Sequence, residues 1–316
     1  MKTFNFKTIM DRLKNTFTHK INGTRHRENK SIKKVKRISG LFIAPSFFGV
    51  LLFFLMPFCV VIFYSFVDNP ISHQFVFLDN FRNVLTNQAF RLAVKNTFQF
   101  SFIAVPLVVL LSLLMAFALE RAIPGKSRIR TALLSPMMVP IASVILIWQV
   151  LFHYNGLVNE MIQFFDGSKI DWLKSSYAQV VIIILFVWKN LGYNMSLFMA
   201  ALGSIPREIL EVAKMESANE WQIFIHIKLR YISSSILFVT ILSLINSFKV
   251  FREVYLLSGD YPFDALYMLQ HYMNNTFRSL DYQKLSAAAI IMSLFMIMLI
   301  GLMFLVENHF GKDIEG

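Results

Sequence analysis

The sequence predicts an all-α membrane protein with six spanning helices, and three features carry that prediction. Hydrophobic residues make up 56% and charged residues 16% of the 316 positions, with a mean hydropathy of +0.54. Soluble domains run nearer 45–50% apolar and about 25% charged. The apolar residues are gathered into runs of roughly 20, the length a helix needs to span a bilayer core. Positive charge is distributed unequally between alternate connections. Twelve Gly and nine Pro exclude collagen-like and disordered chains, and Cys59, the single cysteine, excludes a disulfide framework or a multi-cysteine metal site.

The chain opens on residues 1–39, which hold 12 Lys and Arg against Asp11 and Glu28 and so supply +10 of the net +12. No soluble nucleic-acid reader follows; directly before an apolar run, such a tail marks a cytoplasmic flank. It is too long and too polar for a secretory leader. The spans are expected at 41–67, 98–119, 131–152, 178–202, 232–248 and 285–306. Pro45 and Pro57 predict kinks in the first. With the amino terminus inside, segments 1–40, 120–130, 203–231 and 307–316 carry 12, 4, 4 and 1 bases. The opposite segments 68–97, 153–177 and 249–284 (Lys249 aside) carry 3, 2 and 3. This asymmetry predicts that both termini are cytoplasmic. The domain plan is a basic tail (1–40), a membrane domain (41–306) and a short tail (307–316).

Segment 203–231 reads as two short helices on the cytoplasmic side. Ser204 suits an N-cap, Pro206 the first turn, and Glu208 the positive end of the dipole. Leu210, Ala213 and Ser217 fall on one stripe, and Trp221, Phe224, Ile225 and Ile227 form a second apolar set. A lipid-surface helix is rich in Lys and Arg on its polar face. Residues 205–222 instead carry Glu208, Glu211, Glu216 and Glu220 against Arg207 and Lys214, which points to a protein partner.

The run Glu211-Val-Ala-Lys-Met-Glu-Ser217-Ala218-Asn-Glu-Trp-Gln-Ile-Phe224-Ile-His-Ile227-Lys-Leu229-Arg230 resembles the EAA loop of permease subunits from binding-protein-dependent ABC importers. That pattern reads E-A-A, a Gly-Ala pair, a Phe, then I-x-L-P. Leu78-Asp-Asn-Phe-Arg, Pro136-Met-Met-Val-Pro140, Trp188-Lys-Asn-Leu-Gly-Tyr, Phe248-Lys-Val-Phe and Tyr255-Leu-Leu-Ser resemble the carbohydrate-uptake branch, of the maltose/glycerol-phosphate type. Ser217 stands where the family has glycine, and Arg230 where it has its final proline. Glycine there commonly serves a φ > 0 turn that costs other residues about 1 kcal/mol. Ser217 is therefore expected either to bend the loop differently or to bear that strain.

The resemblance implies the type I permease fold, with the loop as a coupling helix against an ATP-hydrolysing subunit through Glu211, Ala213, Met215, Ser217, Ala218, Phe224 and Ile227. It implies a second, different permease, two ATP-binding subunits, an extracytoplasmic solute-binding protein and a sugar as partners, in a bacterial cell (inner) membrane. It implies no cofactor in this chain, with ATP and Mg held by the partners.

The chain itself carries no catalytic or metal constellation that the sequence reveals. Gly125-Lys126-Ser127 is Walker-like, but Glu120 stands where the pattern needs its first glycine. It is read as a basic turn. His19, His26, His73, His153, His226, His271 and His309 show no metal-ligand spacing. A stand-alone secondary transporter or channel is the alternative; such a protein is expected to carry a buried carboxylate relay or an inverted repeat. The six spans as bounded hold no Asp or Glu, and no repeat is visible.

Sugar sites pair aromatic faces with amide or hydroxyl groups, and transporters hold cargo near mid-membrane. Lys189 and Asn190 lie near the middle of the fourth span, Tyr193 and Asn194 a turn on, and Asn246, Ser247 and Lys249 at the end of the fifth. By resemblance, Phe186, Lys189, Asn190, Ser247, Val250, Met137 and Ile141 match sugar-contacting positions. Asn194 is read instead as an interhelical hydrogen-bonding group. Lys189 and Lys249 suggest an acidic oligosaccharide as cargo, unless they pair with Glu253 or another acid. The polar stretch 251–284, with a turn at Gly259-Asp-Tyr-Pro262, is a connecting loop or a docking surface for the binding protein.

Overall fold

A computed structural model describes residues 40, 42–69, 71–72, 74–120 and 124–310. The basic tail 1–39 and residues 311–316 lie outside them. The chain divides between Phe63 and Tyr64 into two units.

The described residues of the first unit belong almost entirely to helix α1, Phe42–Ser65, whose last two residues fall in the second. The kink expected of Pro57 is taken up by a π-turn, Leu51–Leu55, in which the Met56 N–H reaches back five residues to Leu51 O. Proline lacks the N–H of the regular ladder, and widening the preceding turn accommodates its ring.

The regular structure among the second unit's described residues is helical, apart from one isolated bridge between Val67 and Phe75. A short helix α2 (Asp79–Thr86) leads into α3, Gln88–Glu120, which packs along α7, Ala178–Gly203. Phe100, Ala104, Val108 and Ala116 of α3 meet Val181, Ile182, Leu185, Met195 and Phe198 of α7 in one apolar core. Between them in chain order come α4 (Lys126–Met138), α5 (Ile141–Leu151) and α6 (Leu157–Phe164). A second, smaller core joins Val84, Phe90 and Ala93 to Leu269, Tyr272, Ala287 and Ala288 at the opposite end of α3 from Glu120.

Among the described residues five helices are long and apolar enough to cross a membrane: Phe42–Ser65, Gln88–Glu120, Ala178–Gly203, Ser233–Ser258 and Tyr282–Glu307. A sixth crossing exists if α4 and α5, bent by 98° at their junction, form one span. The expected single helix over 131–152 is thus broken. Pro140 has no N–H for the ladder and forces Val139 out of the helical region, to φ −87°, ψ 134°.

The fifth span is also corrected. It runs as α10 (Ser233–Phe248) and, beyond Phe248, as α11 (Phe251–Ser258), so it contains Lys249, Arg252 and Glu253. The six spans as drawn from the sequence hold no Asp or Glu; the longer helices bring in Glu120, Glu253 and Glu307. The remaining stretch is a packed layer and not an open loop. Helix α12 (Leu269–Arg278) buries His271 and Tyr272 before α13 (Tyr282–Phe310) begins.

Candidate functional site

Two places in the second unit concentrate polar chemistry. The first is a cavity of about 180 Å³ where two interrupted helices flank the continuous α7. Met137 comes from the last turn of α4, and Leu185, Phe186, Lys189 and Asn190 from one face of α7. Asn246 closes α10, Lys249 and Val250 form the turn between α10 and α11, and Arg252 and Glu253 open α11. That turn tightens to i→i−3 bonds, Lys249 N–H to Asn246 O at 3.1 Å and Val250 N–H to Ser247 O at 3.4 Å.

Within the cavity wall Asn190 Nδ2 donates to Phe186 O at 2.8 Å, and Asn246 Nδ2 to Asn190 Oδ1 at 3.3 Å. Lys189 is bound to Glu253 Oε1, the pairing that the sequence left open. The Glu253 side chain is 8% exposed, and its Oε2 is buried with no hydrogen-bond partner. Lys249 and Arg252 are exposed at the cavity and form no ion pair among the described residues.

Three sequence-selected residues do not line this cavity. Ser247 turns to α3, sharing a 2.8 Å hydrogen bond with Ser101. Ile141 packs on the apolar core, and Tyr193 is half-buried one turn beyond Lys189. Asn194 is buried and donates to Ser243 Oγ at 2.8 Å, tying α7 to α10. Arg252 was not selected from the sequence, where 251–284 was read as a polar connecting stretch; Glu253 was considered only as a lysine's partner. Their i+3 and i+4 spacing from Lys249 was the signal that one helical surface continues there.

Gly192 explains how α7 comes so close to α4. A Cβ at this position would lie 1.9 Å from Leu133 O, so only glycine permits the approach that sets Met137 beside Phe186.

The second place is the acidic loop. Helix α8 runs Arg207–Met215, started by Pro206; Ser204 is not its cap but donates to Ala201 O at 2.7 Å. The helix ends in a Schellman motif: Ala218 N–H reaches Ala213 O and Ser217 N–H reaches Lys214 O, both at 3.0 Å. Ser217 occupies the left-handed position of that motif with φ 62°. It bears the strain and does not bend the loop another way.

A second helical segment, α9 (220–231), starts on an Asn219–Gln222 capping box that sequence reasoning missed, although Asn-x-x-Gln is its signature. It contains a π-turn, Phe224–Lys228, and stays helical through Arg230, where a proline would have lost its N–H.

The residues expected to couple divide by exposure. Glu211, Met215 and Ser217 are exposed, Ala218 and Ile227 half-buried, and Ala213 and Phe224 buried. Phe224 packs on Phe117 of α3 with ring centroids 4.4 Å apart. Lys228, 7% exposed, pairs with Glu120 at the end of α3 at 2.6 Å and lies over the Phe117 ring. Val212, Met215 and Trp221 remain exposed on the loop.

No group of three or more His, Cys, Asp or Glu gathers as for a metal among the described residues. The Walker-like Gly125 is a left-handed turn residue, φ 78°, just before α4. In the packed layer, Met268 N–H donates to His271 Nδ1, and burial lowers the His271 pKa from 6.5 to about 4 against the raising effect of Asp260.

Comparison with known proteins places this architecture. The chain is 28% identical over 289 residues to the probable ABC transporter permease protein YesP of Bacillus subtilis, covering 89% of this chain and 92% of that one. It is 26% identical over 295 residues to the trehalose/maltose transport system permease protein MalF of Thermococcus litoralis, covering 90% and 100%. Its fold matches a chain of a bacterial alginate ABC transporter with a TM-score of 0.77 at 18% identity, over 89% of this chain and 98% of that one. Residues 100–316 match the family described as binding-protein-dependent transport system inner membrane component. With most of its length inside that match, and with helices built to cross a membrane, the chain belongs to this family of ABC importer permeases.

Proposed function

We propose that this chain is one permease subunit of an ATP-driven importer that takes up a sugar or oligosaccharide delivered by an extracytoplasmic solute-binding protein. The observation that carries the reading is the cavity at the two helix interruptions. Discontinuous helices beside a polar pocket are how transporters hold cargo within the bilayer. Phe186 offers an aromatic surface, and Asn190 and Asn246 offer amides for hydroxyl groups. Relatives named for trehalose/maltose, lactose and arabinooligosaccharides support a sugar as cargo.

A second, different permease completes the membrane unit, and two ATP-binding subunits lie beneath it, with both termini of this chain in the cytoplasm. Exposed Glu208, Glu211, Val212 and Met215 on α8 supply acidic and apolar contacts for an ATPase groove. The Schellman motif stiffens α8. The Lys228–Glu120 pair ties the loop to α3, which packs along α7 and so reaches the cavity. Closure of the ATPases would move these helices as rigid bodies and alternate access to the pocket.

The test is purification of the tagged chain from its own membrane in mild detergent, with partners identified by mass spectrometry. Recovery of a second permease and an ATPase, lost on Glu211→Lys with Met215→Asp, is expected. A chain that comes out alone and transports after reconstitution without ATP would establish the secondary transporter instead.

A further inference from the structure

We propose that the cavity is built for an anionic sugar, whose acidic group meets Lys249 and Arg252 while one of its hydroxyls donates to Glu253 Oε2. The inference rests on the importer reading and names the charge class of its cargo.

The wall carries Lys189, Lys249 and Arg252 against Glu253 alone. Lys189 is already bound to Glu253 Oε1, and that pair is neutral. The other two cations have no acidic partner among the described residues. An excess of positive charge in a cleft within low-dielectric walls attracts an anion.

The orphaned Oε2 narrows the class further. An ionised carboxylate oxygen only accepts, so a buried and unpartnered one calls for a donor. A neutral sugar satisfies Oε2 and leaves the cations unused; a simple anion satisfies the cations and leaves Oε2 without a donor. A polyol that carries a carboxylate or a phosphoester satisfies all three.

Lys189→Met is a poor probe of this idea, because it leaves Glu253 buried without its partner and disturbs the site for every cargo. Lys249 and Arg252 are exposed and can be changed without stranding a buried charge.

The experiment is equilibrium binding of labelled digalacturonate, galactose 1-phosphate and digalactose to the purified transporter complex without its solute-binding protein. At least one anion is expected to bind at least tenfold more tightly than digalactose, and which one identifies a carboxylate or a phosphoester as the group read. The anion-to-neutral ratio should fall toward one in the K249Q/R252Q double variant. In the unmodified complex, where no folding defect can intervene, it should shrink as salt screens the cations. Digalactose binding as tightly as both anions, or a salt-independent ratio, overturns the charge inference and leaves the sugar importer standing. Binding of none of the three, with no sugar uptake by the intact transporter, takes down the importer reading itself.

Discussion

Replacing Gly192 by alanine tests the packing that builds the cavity. The added Cβ would sit 1.9 Å from Leu133 O and 2.4 Å from its carbonyl carbon. A carbon rests against a carbonyl oxygen at about 3.3 Å, so α4 and α7 must part by about 1.4 Å. A gap of 0.5–1 Å already forfeits a quarter to a half of the dispersion energy along the seam. Overpacking typically costs about 1–3 kcal/mol, and backbone on both sides of this contact puts the expected cost at the upper end. The internal control is Gly301 in α13, where a Cβ meets nothing within 4 Å. There Gly→Ala should gain about 0.5–1 kcal/mol of helix propensity. Thermal denaturation of the three proteins in one detergent reads the difference. At about 2–4 °C per kcal/mol, Gly192→Ala should lower the midpoint by roughly 6 °C or more and Gly301→Ala should raise it slightly. A Gly192→Ala protein melting with the parent would refute the close approach of α4 and α7.

Three further perturbations probe the loop and the packed layer. Ser217→Gly relieves a left-handed non-glycine residue and should stabilise the end of α8 by up to about 1 kcal/mol. Slower hydrogen exchange at Ala218 would report it, whereas Ser217→Val should speed that exchange. Glu120→Gln leaves the Lys228 ammonium buried and should cost roughly 2–4 kcal/mol, while replacing both partners with Leu should cost far less; melting midpoints of the single and double variants decide it. His271 stays neutral when folded, with its pKa near 4 against 6.5 unfolded. Its neutral burial costs nothing above pH 6.5, and as pH falls from 6.5 to 4 the unfolded chain alone gains the proton. Stability should therefore drop by roughly 3 kcal/mol across that window, and His271→Phe should flatten the drop in acid unfolding curves.

The membrane class, the approximate spans and the acidic loop were legible in the sequence because each rests on local properties. A run of roughly 20 apolar residues has a favourable transfer free energy whatever its neighbours do. The Glu-rich stretch after Pro206 carries its charge pattern wherever it folds. Even Ser217 was legible as a choice between two outcomes, since a non-glycine in a turn must either avoid positive φ or bear it.

Only the tertiary structure decided the rest. It put Asn194 on Ser243, turned Ser247 away from the cavity toward Ser101, and carried the fifth helix past Lys249 so that Glu253 met Lys189. It also broke the third span by 98° at a proline that, from sequence, reads equally well as a mild kink. The reason is that a helix side chain finds its partner through which faces of distant segments meet. Lys189 and Glu253 are 64 residues apart, and nothing local to either distinguishes a lysine awaiting cargo from one already paired.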